Sequence, residues 1–403
     1  MTGAENPQLT ESGWAPDVLA PTAAGSTDRP WWRWLLPFVV VAAMVGLGYG
    51  RGERAFVFPE GAALAFGVLV VGNHDWVCSR WRLLVLPTAC AVAGSVLAGL
   101  PVPKVAAELL AAGLTLAAAQ TAGGRLGPVV SAAVLPVVFG LSTWVYPAAV
   151  AGICLALVVT VSLPGLRPPR LAIAVGKRPG RWSGPTLALF SVIAVGWIVL
   201  ASVVLPVPTV ALAPPLLVGA LEWCAHGARP LGAALRRWAL LVTAAAVGGG
   251  AVWASPLMDG GITATQALAA SAVQLAAVGV ILVILRCSGE HLYPALAIAL
   301  VPNLVAPIAP WRYVLAIGIG AAALYLGAAV LASGGRALRK VSACGGQART
   351  DRCLPSATRS RRRPRCWVFT LPAVGAIHAW IARPRRTHRG RAVDSAGHPA
   401  ADH

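Results

Sequence analysis

Between Trp32 and residue 333 the sequence repeats one theme twelve times: an apolar run, then a short loop holding proline, glycine or arginine. The runs centre near Val41, Leu64, Ala91, Leu114, Val134, Ile153, Ile193, Ala213, Ala244, Ala276, Leu300 and Gly320. Crossing a hydrocarbon layer of roughly 30 Å takes about 20 helical residues at about 1.5 Å each. Most runs approach that length, and several reach only 15 to 18. Composition excludes a soluble alternative. Of the 403 residues 57% are hydrophobic and 12% charged, against about 25% charged in an average soluble domain. The expected fold is an all-α polytopic membrane helix bundle of about 12 spans, with the lipid bilayer as its main partner.

The formal charge of +19 would suit a nucleic-acid or membrane-surface protein. Its distribution points to the membrane. Fifteen of the 33 basic residues follow Ser333, and most of the others fall in short loops. Counted over alternate loops, 14 basic residues lie on the side of the N-terminus and four on the other, namely Arg51, Arg54, Lys104 and Arg312. Basic residues concentrate in cytoplasmic loops. The expectation is thus a multi-pass protein of the inner (plasma) membrane with both termini cytoplasmic. No nucleic-acid partner is expected, because no aromatic-interleaved basic fold is present. The eight cysteines contain no CxxC pair, so neither a metal nor another cofactor is expected.

Residues 1–31 read as a disordered cytoplasmic arm, and 334–403 as a basic, largely disordered tail suited to anionic lipid. Between them the chain resembles itself. Pro59, Arg80 and Gly94 recur 156 positions later as Pro215, Arg236 and Gly250. Gly113, Pro128 and Pro136 recur at 166 as Gly279, Pro294 and Pro302, and Trp144 and Tyr146 recur at 167 as Trp311 and Tyr313. These matches predict two parallel six-span repeats, 32–165 and 186–333, joined by a basic cytoplasmic linker, 166–185.

No phosphate-binding loop, HExxH or GxSxG motif occurs, so the chain is not expected to be an enzyme. A charge inside the bilayer costs at least about 2.5–3.5 kcal/mol and is kept for a partner or a task. The candidates for a substrate pathway are therefore Glu60, Glu108, Gln120, Gln274, Arg286, His291 and Asn303. The repeat places Glu108 opposite Gln274, and Gln120 opposite Arg286, across the expected twofold axis. Arg286 is the candidate anion-binding cation, whereas Arg236 is assigned to topology. Prolines 128, 136, 294 and 302 are expected to break helices at corresponding places, a pattern associated with transporter sites.

The stretches PPLLVGALEW, ARPLGAALRRWALLVTAAAVGGG and SGEHLYPALAIALVP resemble the HPP-type transmembrane family over roughly residues 186–332, and more faintly over 34–165. His291, Leu292, Tyr293 and Pro294 stand where its His-Pro-Pro segment is expected; the first half has Gly127 and Pro128 there. The segment PLGAALRRWALLVTAAAVGGG is also similar to the fusaric-acid-resistance and aromatic-acid exporter class, whose halves are duplicated too. These resemblances imply passage of a small anionic solute, such as nitrite or an aromatic carboxylate. The competing expectation is a non-transporting membrane scaffold whose polar groups only hold helices together.

Overall fold

The computed structural model describes residues 34–71, 76, 79–123, 125–163, 181–204, 213–226, 230–255, 263–305 and 308–331. The arm 1–31, most of the linker 166–185 and the tail 334–403 lie outside the described residues. Among the described residues there are twelve α-helices and no strand. Each apolar stretch of the sequence is represented by one helix.

The helices are α1 (Leu35–Arg51), α2 (Pro59–Ala65), α3 (Arg80–Gly99), α4 (Lys104–Ala122), α5 (Pro128–Phe139) and α6 (Val145–Ser162). Then follow α7 (Gly184–Val204), α8 (Pro214–Ala225), α9 (Leu231–Trp253), α10 (Ala264–Ser288), α11 (Pro294–Leu300) and α12 (Pro310–Ala321). The last continues through a wider turn, so that the apolar helical run reaches Leu331. Seven helical runs, those of α3, α4, α6, α7, α9, α10 and α12, are long and apolar enough to cross a membrane. This identifies an integral membrane protein.

Local chemistry sets the ends. Pro59, Pro128, Pro214, Pro294 and Pro310 each open a helix, where the missing N–H costs nothing and φ is already helical. Gly52, Gly123, Gly140 and Gly289 close α1, α4, α5 and α10 at φ near +65 to +70°, a region that a Cβ disfavours. Three of the four expected helix breaks need revision, and only Pro302 lies where a helix ends. Pro136 lies inside α5, which runs on to Phe139, where the carbonyl of Pro136 accepts from Leu141 N–H. Pro302 sits in the 3-10 turn Val301–Asn303 that ends α11. Pro128 and Pro294 start helices and do not interrupt them.

The long helices carry a one-sided burial pattern: only 33–39% of each spanning window is buried. Their outward faces hold Val39, Val192, Val203, Leu268 and Val283, all more than 60% exposed. Such an apolar outer surface suits lipid. Four short helices behave differently. Every residue of α2 and α11, and nearly every residue of α5 and α8, is buried. They form the interior, with α2 packed on α11 and α5 on α8. Around them, α3 packs on α5 and α6, α9 on α11 and α12, α1 on α10, and α4 on α7.

Two glycines allow the closest of these approaches. A Cβ on Gly94 of α3 would overlap the backbone of Ala133 in α5, and one on Gly248 of α9 would overlap the backbone of Ala299 in α11. Small residues at such crossings let helices pack without a hydrophobic driving force. Gly94 and Gly248 thus do the same packing work, whereas the Cβ position of Gly250 is open. We expect Gly94→Ala and Gly248→Ala each to cost about 1–3 kcal/mol through overpacking. Thermal unfolding in detergent should show both falling by several degrees, with Gly250→Ala unchanged or slightly higher.

Candidate functional site

Three groups of polar residues lie inside the bundle, and the helix ends define their depth. The face where α1 begins is the proximal face. There Arg80 at the start of α3 donates to Ser162 at the end of α6, and Arg286 near the end of α10 lies over Trp34 beside α1. At the distal face, Lys104 at the start of α4 donates to the carbonyl of Val138 near the end of α5.

Glu60, the second residue of α2, is 1% exposed. Its Oε1 accepts a hydrogen bond from the Ser131 hydroxyl of α5, while Oε2 has no partner among the described residues. The Tyr146 hydroxyl on α6 is also buried without a hydrogen-bond partner among the described residues. Phe58 packs edge-on against the Tyr146 ring, with centroids 6.1 Å apart, and Ile153 lies where a side chain on Gly61 would begin. A carboxyl in such surroundings is held in place while retaining free hydrogen-bonding capacity. A protein interior keeps such a group only against a substantial desolvation cost.

The second group is distal. Glu108, one turn into α4, is 1% exposed, and neither carboxyl oxygen has a hydrogen-bond partner among the described residues; Lys104 supplies the nearby positive charge. Asn303, just beyond α11, is fully engaged: its Nδ2 donates to Gln274 Oε1 (3.2 Å) and to the Leu300 carbonyl (3.0 Å), and its Oδ1 accepts from Tyr49 of α1 (3.1 Å). Between these clusters the distal face opens into a recess of about 660 Å³. Arg54 and Lys104 line it together with Leu97, Val138, Gly140 and Ile308. The recess exists because α5 and α11 stop short of this face.

The third group is proximal and gathers around α8 and α9. The Trp76 indole donates to Glu222 Oε1 at 2.9 Å. Arg237 of α9 is 6% exposed, stacks 4.9 Å over the Trp223 ring and lies 3.7 Å from Glu290.

The pairings expected from the internal resemblance are not made. Gln120 binds the backbone of Trp182 in both directions, at 3.0 and 3.1 Å. Arg286 is exposed, and its guanidinium covers Trp34. Gln274 is held by Asn303, and not by Glu108. The reason is geometric: α4 packs on α7 and α10 on α1, so equivalent residues on α4 and α10 face different neighbours. His291 is exposed and stacks on Tyr293 with centroids 6.5 Å apart. Glu290, four residues after Arg286, lies instead at ion-pair distance from Arg237.

Arg237 was the principal residue overlooked in the sequence, and a signal for it exists. Ala233, Ala234, Arg237, Leu241, Ala244, Ala245 and Gly248 form the buried stripe of α9, spaced three and four apart as one helix face requires. Arg236 points outward. Among the described residues no group of three or more histidine, cysteine or carboxylate side chains is arranged to hold a metal ion.

No family model matches the chain, and neither a curated protein sequence nor a solved structure is detectably similar to it. The site must be read from its own geometry. That geometry makes Asn303 the hub of the distal network. Replacing Tyr49 by Phe removes one bond and should cost about 0.5–1.5 kcal/mol, whereas Asn303→Ala strands Gln274 and Tyr49 and should cost about 1–3 kcal/mol or more. Chemical or thermal unfolding of the two variants and their double mutant checks the order, with the double resembling Asn303→Ala alone.

Proposed function

We propose that the protein is a transporter or permease for a small anionic solute, moved between two parallel six-helix halves. The observation that carries this reading is the pair of interior carboxyls, Glu60 and Glu108, each 1% exposed and together presenting three unpartnered oxygens. Groups that only glue helices together are normally satisfied by one another. These two are satisfied in part or not at all. Such groups are suited to a step in which a proton or solute supplies the missing partner.

The two-half arrangement is supported by matching neighbours. The packing of α2 on α11 is answered by α8 on α5, that of α3 on α5 and α6 by α9 on α11 and α12, and that of α1 on α10 by α7 on α4. Parallel repeats place a solute path at their interface. Here that interface is built from the short interior helices. The cationic recess bearing Arg54 and Lys104 gives an anion a favourable approach from the distal side. In this reading the proximal face is cytoplasmic, both termini lie on that side, and the membrane is the inner one. The resemblance of residues 186–332 to HPP-type proteins, and of the stretch PLGAALRRWALLVTAAAVGGG to aromatic-acid exporters, agrees with an anionic cargo.

The test is flux in proteoliposomes containing the full chain, with labelled benzoate and nitrite as probes. Flux of at least one anion above that of protein-free vesicles is expected. Glu60→Ala should abolish it, and Lys104→Gln should lower uptake from the distal side several-fold. A chain that moves neither probe would favour the scaffold. Topology has its own check: reporters fused at Gly165 and Gly227 should read cytoplasmic and one at Val207 external. An external reading at Gly165 would remove the proposed orientation.

A further inference from the structure

We propose that Arg237 is the cation of a binding site for an aromatic carboxylate, and that Glu290 occupies the place of the ligand's carboxylate in this conformation. The inference rests on the transport reading for its biological use, but it concerns binding and stands on separate observations.

The first observation is a surplus of donors. Arg237 is 6% exposed, and among the described residues its guanidinium makes no hydrogen bond. Glu290 Oε2 lies 3.7 Å from Nε, beyond the usual 2.7–3.2 Å of an N–H···O bond. The Trp223 indole N–H and the Tyr325 hydroxyl are also buried, each at 0% exposure, and neither has a hydrogen-bond partner among the described residues. The Tyr325 ring lies 5.9 Å from that of Trp223. A guanidinium, an indole N–H and a phenol thus sit together around Trp223, with the Glu290 carboxylate at ion-pair distance from the guanidinium and that of Glu222 accepting from Trp76. Buried donors are ordinarily satisfied. A carboxylate, with two oxygens and about four acceptor positions, is the group that would satisfy this set.

The second observation is the surroundings. Besides Trp223 and Tyr325, the Trp76 and Tyr293 rings pack 5.5 Å apart at the same end of the bundle, with Trp76 anchored on Glu222. Flat apolar walls with a few directed donors are what an aromatic acid requires. Gly219 contributes by having no side chain, since a Cβ there would overlap the Tyr325 hydroxyl.

The third is asymmetry. In the proposed repeat, the positions equivalent to Trp223, Tyr293 and Tyr325 are Gly67, Gly127 and Val158, and Arg237 falls opposite Leu83 when α3 and α9 are matched at Gly94 and Gly248. The first half therefore has no guanidinium, indole or phenol at these four positions. The space at Gly67 is taken by the Trp76 ring, and that at Gly127 by Val218 and Glu222. A cluster needed only to join helices would have served both halves. Apart from Trp76, this one is built from the second half, with its charge on a helix face otherwise made of alanine, glycine and leucine.

Glu290 is well placed to compete with a ligand. It lies in the segment between α10 and α11, directly after Gly289 with φ +68°, and its side chain is 14% exposed. It can swing away without disturbing a helix.

The experiment measures benzoate binding to the purified full chain in lipid nanodiscs by calorimetry, with tryptophan fluorescence as a second readout. The expected results are saturable binding of benzoate, little binding of benzamide, and loss of binding in Arg237→Gln. Arg237→Lys keeps the charge but loses the fork, and should bind about tenfold more weakly. Glu290→Gln should bind about tenfold more tightly, because the internal competitor has lost its charge. Arg286→Gln should bind like the native chain. A purely structural ion pair predicts the opposite for Glu290→Gln: lower stability and no gain in affinity. Should Arg237→Gln fail to fold, the lysine variant and Glu290→Gln still decide. Absence of benzoate binding, native affinity in Arg237→Lys, or no gain in Glu290→Gln overturns the proposal. Nitrite binding as tight as benzoate overturns its aromatic part. Vesicle flux separates this site from the transport reading. Flux unaffected by Arg237 substitutions removes the site and leaves transport, whereas Arg237-dependent binding without flux removes transport and leaves the site.

Discussion

A helix of seven to twelve residues extends only about 10–18 Å at about 1.5 Å per residue, far short of a hydrocarbon layer of about 30 Å. Its terminal N–H and C=O groups would meet lipid, where nothing can satisfy them. Four such helices sit at the centre of this protein, and the remaining architecture follows from the need to shelter them. The eight longer helices surround them and turn leucine and valine outward. Close crossings at Gly94 and Gly248 seat α3 on α5 and α9 on α11, so that short segments are covered along their length. Where the short helices stop, protein must fill the space or water must enter it. The distal recess beyond α5 and α11 is one such place.

The same arrangement concentrates polarity. Long helices can turn polar residues toward a loop or headgroup, but a wholly buried helix has no such choice. Glu60 on α2 and Ser131 on α5 therefore meet each other in the interior, and Asn303 at the end of α11 gathers Tyr49 and Gln274. The two halves differ most where function is proposed. The first carries the Glu60, Ser131 and Tyr146 group, and the second carries Arg237 with Trp223 and Tyr325. One interior is rich in unpartnered acceptors, and the other in unpartnered donors.

Much of the fold was legible in the sequence because lipid imposes a simple rule: each apolar stretch had to become a helix, and each did. Which helices face lipid was less legible. The α2, α5, α8 and α11 segments are apolar on all sides, so they lack the stripe that distinguishes a surface helix from a buried one; their short lengths and opening prolines were the available clue. Internal resemblance did not give proximity. Glu108 and Gln274 are both buried, yet α4 and α10 have different neighbours and the two side chains do not bond. Gln120 and Arg286 diverged further, one binding the Trp182 backbone and the other lying over Trp34. Arg237 escaped notice because it adjoins Arg236 in a segment where charge serves orientation. Only the three-and-four spacing of its alanine and glycine companions separates the inward arginine from the outward one.

The central claim is that the interior around the short helices forms a solute path reached by water, while the outer helix faces meet lipid. Cysteine accessibility in the membrane tests it most directly, after all eight native cysteines, Cys78, Cys90, Cys154, Cys224, Cys287, Cys344, Cys353 and Cys366, are replaced by alanine. A charged, water-borne thiol reagent should modify Ser131→Cys and Ala62→Cys, both at 0% exposure in this conformation. It should leave Val39→Cys and Leu268→Cys, more than 60% exposed on the outer faces, unmodified. Failure to modify either interior position, with the outer positions equally silent, would mean a dry bundle and would contradict the account.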